Sequence, residues 1–363
     1  MLLGPDAREA LDLEALETGL RRRVLALAGR TLERALGEGT SDHTGPTIAC
    51  PCGAAARYAG RRGRTLTTVL GDITLSRAYF VCGACGAGCC PRDRSLGIGD
   101  GSLSPAVTRM VGHAAALVSF AEGSGLLADL AGIDVDAKAV ERAAEALGRE
   151  VAADERSVVE PGVPSAPTMH LGMDGTGVPM RPAELAGRSG SGPDGSARTR
   201  EAKLVTVWTA EGRDERGVPV RDPGSVSCSA AIESAATLGV DEALSPFGLR
   251  VDREATRRGF ERAARRVVIG DGATWIWSLA GELLPGAVGI VDLFHAKEHL
   301  STVARAIFGP TSDLARAWAA GRHDELDEGR LDELLAALAA HADMSDEARR
   351  CHGYVTTNRE RMR

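Results

Sequence analysis

The chain has 363 residues, 44% of them hydrophobic and 26% charged, which is enough for two or three globular domains with cores of their own. Its 43 basic and 50 acidic residues give a net charge of −7, which argues against indiscriminate binding to polyanions. The N-terminus has no basic head followed by an apolar core, and no apolar run reaches the roughly 20 residues of a membrane span. We therefore expect a cytoplasmic protein with no membrane partner.

Residues 1–45 predict an N-terminal helical segment. Between Leu11 and Leu36, leucines recur at close to the helical period and charged residues fill the positions between them. Such a helix is expected to pack its apolar face against the rest of the protein.

Residues 46–95 predict a zinc ribbon. Two β-rich runs, 65–70 and 73–81, are joined across Gly71-Asp72 and are typical of a hairpin. A cysteine pair lies on either side of this hairpin: Cys50-Pro-Cys52 and Cys82-Gly-Ala-Cys85. Four thiolates around a tetrahedral Zn²⁺ can stabilise a segment that is too small to build its own core.

The upstream cysteine pair is one residue shorter than the usual Cys-x-x-Cys spacing. Either Cys50 or Cys52 binds zinc with distorted geometry, or Cys89 or Cys90 takes the place of one of them. The alternative to a zinc site is a set of reduced thiols, since disulfides are disfavoured in the cytosol.

Residues 104–155 predict a helical region that resembles a helix-turn-helix. A short helix over 120–130, a turn at 131–133 and a second helix over 136–147 have the right order for DNA binding. Lys138 and Arg142 on the second helix are the candidate DNA contacts, but acidic residues share that helix. DNA reading and simple packing of a helical hairpin both remain open.

Two groups of arginines could form either solvated basic faces or phosphate-binding faces. They are Arg57, Arg61, Arg62 and Arg64 in one stretch, and Arg250, Arg253, Arg257, Arg258, Arg262, Arg265 and Arg266 in another.

Residues 168–309 contain three apolar runs that each end near an acid. Asp174 follows the first run, Asp271 the second, and Asp292 with His295 the third. Mg²⁺ and Mn²⁺ prefer oxygen ligands, and acids that follow different strands can meet at one edge of a sheet. Asp174, Asp271 and Asp292 are therefore candidate ligands of a catalytic Mg²⁺ or Mn²⁺, with His295 close to the third acid.

Strands come first in this region, and strands then alternate with helices. Strands are predicted at 201–209, 267–269 and 288–291, and helices at 230–238, 274–284 and 296–308, with a loop at 188–197. This order predicts an α/β, ribonuclease-H-like mixed sheet with flanking helices. The pattern beyond residue 310 is helical.

Together with the cysteine pairs, four motifs resemble the ISKra-type insertion-sequence transposases, which belong to the Mutator-like DDE superfamily. They are 173–179 (MDGTGVP), 203–208 (KLVTVW), 270–277 (GDGATWIW) and 291–300 (VDLFHAKEHL). The resemblance implies a transposase that binds two divalent ions and cuts and joins double-stranded DNA at element ends and target, as a homodimer. Asp174 and Asp271 match its first two catalytic acids, and Asp292 and His295 match its Asp-x-x-His signature.

The family also has a glutamate in a Gly-Ser-Gly-x-Val-Glu context after a helical insertion, and this motif is absent here. The resemblance therefore implies that residues 310–363 are the start of that insertion in a C-terminally truncated chain, impaired in strand transfer. Two alternatives stay open: a non-catalytic DNA-binding remnant, and a ribonuclease-H-like DNA nuclease.

Overall fold

The computed structural model describes residues 12–38, 42–188, 190, 197–235 and 244–362. These residues fall into two compact units, Met1–Val151 and Ala152–Arg363. Within the described ranges, no helix combines the length and the apolar character needed to cross a bilayer. The start of the predicted N-terminal segment, most of the predicted loop at 188–197 and the end of the predicted helix at 230–238 lie outside the described residues.

The first unit combines a small sheet with helices. Its strands, β1 to β4, are Thr47–Ala49, Ala55–Thr68, Gly71–Cys82 and Gly88–Cys89. They form one antiparallel sheet in the order β1-β2-β3-β4. Its helices, α1 to α5, are Leu13–Glu38, Pro91–Ser95, Pro105–Leu117, Phe120–Leu126 and Ala137–Asp154.

The predicted hairpin is present as β2 and β3, but its turn lies at 69–70. The two strands pair up to Thr68 and Gly71, so the turn predicted at Gly71-Asp72 was placed two residues too late. The Thr68 side chain explains the shift: its hydroxyl donates to the Gly71 carbonyl (2.7 Å) and accepts from the Leu70 N–H (3.1 Å). A side chain thus closes the turn.

Helix α1 packs with only part of its length. Gly29 is buried so closely against Leu70 that an added Cβ would lie 2.8 Å from the Leu70 carbonyl oxygen, and Leu32 and Leu36 pack beside it. Leu13 and Leu20 in its first half are exposed, at 69% and 43%. The prediction that the whole apolar face packs was therefore wrong for that half, because the small sheet covers only the C-terminal turns.

The predicted pair of helices around a turn is confirmed. Helix α4 begins with a capping box between Ser119 and Glu122 and continues as a π-helical turn to Ala131, where Gly132 adopts a left-handed φ of 69°. Helix α5 follows. Both predicted DNA contacts on α5 are exposed, and Lys138 pairs with Glu141 on the same helix (2.6 Å).

The second unit contains the main sheet. Strands β5 to β11 are Thr168–Pro179, Thr199–Trp208, Gly212–Arg213, Pro219–Val220, Ser227–Ala231, Arg265–Gly270 and Val288–Val291. Helices α6 to α11 are Pro246–Arg258, Thr274–Leu283, Leu293–Phe308, Asp313–Asp327, Leu331–Ala339 and Asp346–Asn358. The five-stranded sheet has the order β11-β10-β5-β6-β9, in which β5, β10 and β11 are parallel and β6 is antiparallel to both of its neighbours.

Strand β9 was missed by the sequence analysis, which predicted a helix from residue 230. Ser227 to Ala231 pair with β6 instead, and buried Ser229 donates to Glu155 (2.8 Å). This alanine- and serine-rich stretch has no strong strand preference of its own, so pairing with β6 decides its structure.

Two hydrophobic clusters stabilise this unit. One lies among the sheet, α6 and α7, with Leu171, Val205 and Phe247 fully buried. The other joins the start of α8 to the last three helices and contains Leu300, Leu334 and Val355. Residues 313–358 therefore pack on the same unit as the five-stranded sheet.

The arginine stretch before Asp271 is largely paired inside this unit. Buried Arg250 forms ion pairs with Glu155 and Glu233. Further ion pairs from the stretch are Arg253–Asp154 (2.6 Å), Arg257–Glu254 (2.7 Å) and Arg266–Glu261 (2.7 Å). These residues therefore do not form a free phosphate-binding face, although Arg257 is exposed to solvent.

The first arginine group, in the ribbon, is also partly paired. Arg61 lies 2.8 Å from Asp42, Arg64 lies 2.9 Å from Asp93, and the Arg62 guanidinium stacks 3.6 Å over the Tyr79 ring. These contacts cross-link the sheet to its flanking segments.

Replacing Arg250 with alanine should destabilise the second unit by about 3 kcal/mol, because Glu155 and Glu233 lose their buried counter-charge. All four tryptophans lie in this unit, so tryptophan fluorescence during urea unfolding of the full chain measures its stability. Arg316→Ala is the control: Arg316 is 70% exposed and should contribute under about 0.5 kcal/mol. Equal, small losses in both variants would contradict a stabilising role for the Arg250 pairs.

Candidate functional site

A cavity of about 440 Å³ opens at the sheet edge where the parallel strands end. Its polar lining comes from several elements: Asp174 on β5, Asp271 after β10, Asp292, His295 and Glu298 at the start of α8, and Arg221 after β8. The sequence analysis had singled out four of these residues, and the fold brings all four to one cavity.

Asp174 lies on β5, and Asp271 directly follows the neighbouring strand β10. Gly172 of β5 is the register partner of Ile269 of β10, and each aspartate follows two residues later. Asp174 was predicted at the end of a strand, but β5 continues through it to Pro179, paired with β6. The parallel pairing of β5 with β10, however, ends at Gly172. Asp174 therefore lies where the parallel strands end.

The loop after β10 holds Asp271 in a defined position. A side-chain oxygen of Asp271 accepts a hydrogen bond from the Ala273 N–H (2.8 Å). Gly272 has a φ of 101°, and an added Cβ there would lie 2.5 Å from the ring of Tyr354. A glycine is therefore required both by the backbone conformation and by the close approach of α11.

Asp292 is the N-cap of α8. One of its side-chain oxygens accepts from the N–H groups of Phe294 (2.8 Å) and His295 (3.0 Å), and its own N–H donates to the Gly270 carbonyl (2.8 Å). Asp292 thus ties the end of β10 to the start of α8, which is a structural role at the edge of the cavity.

His295 and His299 face each other one turn apart, with their Nε2 atoms 3.1 Å apart. Burial and the neighbouring His295 lower the pKa of His299, because a second positive charge would be unfavourable there. The pair therefore favours a neutral His299 that shares one hydrogen bond with His295.

Glu298, Trp208, Phe294 and Arg221 line the same cavity but were not predicted as site residues. One signal was available for Glu298, since it lies one helical turn after His295 and so on the same face of α8. No local pattern distinguishes Arg221, which directly follows β8 of the separate β7–β8 hairpin.

The acids of the cavity offer oxygen donors, which are the ligand type that Mg²⁺ and Mn²⁺ prefer. Asp174, Asp271 and Glu298 offer hard oxygen donors, and a cavity of this size leaves room for the waters that Mg²⁺ retains. However, these carboxylates do not form a group of three whose ligand atoms all lie within 4.8 Å; within the described part of the chain, only a set of cysteines does.

That set consists of Cys50, Cys52, Cys82 and Cys85, and it could hold a metal ion such as zinc. The Sγ atoms of Cys50 and Cys85, and of Cys52 and Cys82, lie 3.6 Å apart. Thiolates around a tetrahedral Zn²⁺ are separated by about 3.8 Å, since each Zn–S bond is about 2.3 Å. The structure therefore places both upstream cysteines in the group, and neither Cys89 nor Cys90.

The backbone around this group favours thiolates. The N–H groups of Cys85 and Ala84 donate to the Cys82 sulfur and lower the pKa of this thiol to about 6. Backbone N–H groups also favour the thiolates of Cys50 and Cys85, but the neighbouring thiols outweigh them and raise the pKa of both. A tight turn, in which the Gly53 N–H donates to the Cys50 carbonyl (2.9 Å), brings the closely spaced Cys50 and Cys52 to one point. Thiolates are the form that binds zinc.

Tyr354 of α11 helps to hold Asp271 in position. Its hydroxyl donates to the backbone carbonyl of Asp271 (2.8 Å), and burial together with the Asp271 charge raises its pKa above the usual value. The neutral phenol is thus retained as a donor, and the last helix of the unit helps to fix the position of Asp271.

Replacing Tyr354 with phenylalanine should weaken binding of Mn²⁺ by about fivefold, since a hydrogen bond of about 1 kcal/mol no longer restrains Asp271. Isothermal titration with Mn²⁺ measures the effect, and Tyr58→Phe in the first unit is the control. A loss of stability in Tyr354→Phe with unchanged Mn²⁺ affinity would show that the hydroxyl has only a structural role.

Neither a search of protein-family models nor a search of curated proteins finds a match to this chain.

Proposed function

We propose that the chain is a DNA transposase of the ISKra type, which cleaves and joins DNA strands with the help of divalent metal ions at the acid-lined cavity. One observation carries this proposal: Asp174, on β5, and Asp271, directly after the adjacent parallel strand β10, are nearly a hundred residues apart in the sequence but line one cavity.

The strand order supports a ribonuclease-H-like fold for the second unit. Strands β5, β6 and β9 pair in chain order as an antiparallel set, with the small β7–β8 hairpin between β6 and β9, and β10 and β11 then add in parallel on the other side of β5. Helices α6 and α7 precede β10 and β11, respectively. Strands that come first and then alternate with helices are the element order from which this fold was expected, although β9 was not among the predicted strands.

Asp174 and Asp271 are the residues that would hold Mg²⁺ or Mn²⁺. When bound, such ions lower the barrier to in-line displacement at phosphorus by activating the attacking oxygen and stabilising the leaving one. Glu298 offers a further carboxylate from α8, and Asp292 maintains the position of that helix. Hydrogen bonds from Ala273 and Tyr354 hold Asp271 and its backbone, so that little reorganisation is needed.

The first unit would hold the DNA. Its cysteine group would bind zinc and stabilise the β2–β3 hairpin, and the exposed Lys138 and Arg142 on α5 would contact phosphates. The chain as a whole is acidic, so we expect this contact to be local and sensitive to salt.

Incubation of the full chain with supercoiled plasmid, Mn²⁺ and a labelled oligonucleotide that has a free 3′ hydroxyl tests the proposal. Transfer of the label to the plasmid supports a transposase. Nicking without label transfer would indicate a nuclease, because water and a 3′ hydroxyl attack with the same geometry. DNA binding without either reaction, and without any need for a divalent ion, would indicate a non-catalytic DNA-binding protein.

A further inference from the structure

Arg221 is a cation in a cavity whose other ionisable lining residues are four acids and a histidine. It follows β8 directly and is exposed, and its guanidinium carbon lies 4.4 Å from the centre of the Trp208 ring. Trp208 also stacks on His170, with ring centres 5.5 Å apart. The arginine thus rests on a buried aromatic surface at the wall of the cavity.

Arg221 also lacks an anionic partner. Over the described residues, no acid lies within 4.0 Å of its guanidinium, and it makes no hydrogen bond. The arginines of α6 differ in this respect, since Arg250, Arg253 and Arg257 all form ion pairs. Contact with an indole ring orients a guanidinium without neutralising its charge, so its hydrogen-bond donors stay available.

The backbone that carries Arg221 is fixed by its neighbour. The Asp222 side chain accepts hydrogen bonds from the Thr209 hydroxyl (2.5 Å), the Gly212 N–H (2.8 Å) and the Glu211 N–H (3.1 Å). These bonds lower the pKa of Asp222 and close the base of the β7–β8 hairpin. Arg221 is therefore held at a defined point of the cavity.

We propose that Arg221 binds a phosphate group of the DNA strand that enters this cavity. The inference rests on the proposed function, because it assumes that the substrate is a phosphodiester. A cavity lined only by carboxylates would repel such a substrate. The planar guanidinium supplies a positive charge and two parallel N–H donors that can form hydrogen bonds to phosphate oxygens. Arg221 would thus select phosphate and position it next to Asp174 and Asp271.

Binding of a fluorescein-labelled single-stranded thymidine oligonucleotide to the full chain, measured by anisotropy in Ca²⁺ over a range of salt concentrations, tests this inference. Arg221→Gln should weaken binding by about 10- to 100-fold and lower the slope of log affinity against log salt by about 0.7. Arg221→Lys should restore the slope but only part of the affinity, since lysine lacks the paired donors.

Arg213→Gln is the matched control, because it removes the same charge from the same hairpin at a residue outside the cavity lining. Equal affinities and salt slopes for Arg221→Gln and Arg213→Gln would overturn the role of Arg221. Failure of the proposed function would give a different result. The wild-type chain would then bind the oligonucleotide equally well with and without Ca²⁺, and Asp174→Asn would bind it with wild-type affinity, whatever the two arginine variants do.

Discussion

Asp271→Asn is expected to lower the rate of Mn²⁺-dependent DNA cleavage by at least about 1,000-fold. Asparagine is nearly the same size and can still accept the hydrogen bond from the Ala273 N–H, so the loop should keep its structure. The lost negative charge, however, removes a ligand from the site that is proposed to bind the metal. Several kcal/mol of transition-state stabilisation depend on that metal, which corresponds to this loss of rate.

The measurement is nicking of supercoiled plasmid as a function of Mn²⁺ concentration, and Asp174→Asn should behave in the same way. Asp324→Asn is the control, because Asp324 is exposed on α9 and loses the same charge outside the cavity. Unimpaired cleavage in both Asp174→Asn and Asp271→Asn, with tryptophan fluorescence unchanged, would refute the proposed active site.

Removal of zinc should unfold the β2–β3 sheet and leave the second unit folded. The hydrophobic cluster beside the cysteines is small, and Phe80 is its largest fully buried side chain. Binding of a structural Zn²⁺ contributes about 10–16 kcal/mol in zinc-finger peptides, which exceeds what such a cluster can supply. We expect one zinc ion per chain, and none bound tightly after Cys82→Ser.

The two units can be followed separately, because every tryptophan lies in the second one. Chelation should therefore reduce the strand signal in far-UV circular dichroism without changing tryptophan fluorescence. Cys228→Ser provides the control, as Cys228 is an exposed thiol outside the group. A metal-free chain with an intact β2–β3 sheet, judged by amide hydrogen exchange, would exclude a structural role for the metal.

Several features could be predicted from local patterns because each depends on short-range chemistry. Two closely spaced cysteine pairs around a β-rich hairpin indicated the metal group, and the structure brings those four thiols together. Apolar runs followed by an acid located Asp271 and Asp292 directly after β10 and β11. Helices α7 and α8 were also predicted to within a few residues, since their periodicity and their end signals are encoded nearby.

Other features depend on which segments pair across the fold, and short-range patterns carry no information about such pairing. Strand β9 exists because β6 provides a partner, and Asp174 lies at a sheet edge because β10 stops beside it. The arginines before Asp271 looked available to bind phosphate, whereas acids from distant segments neutralise several of them.

Arg221 is the opposite case, because the fold leaves its charge available instead of neutralising it. In the sequence it is an ordinary charged residue between two turns, and only the folded chain sets it over Trp208 and beside the acids. Hydrophobic periodicity and ligand spacing act over a few residues, so they can be read along the chain. Whether a charge is neutralised or left available depends on distances between remote segments, which exist only once those segments have packed.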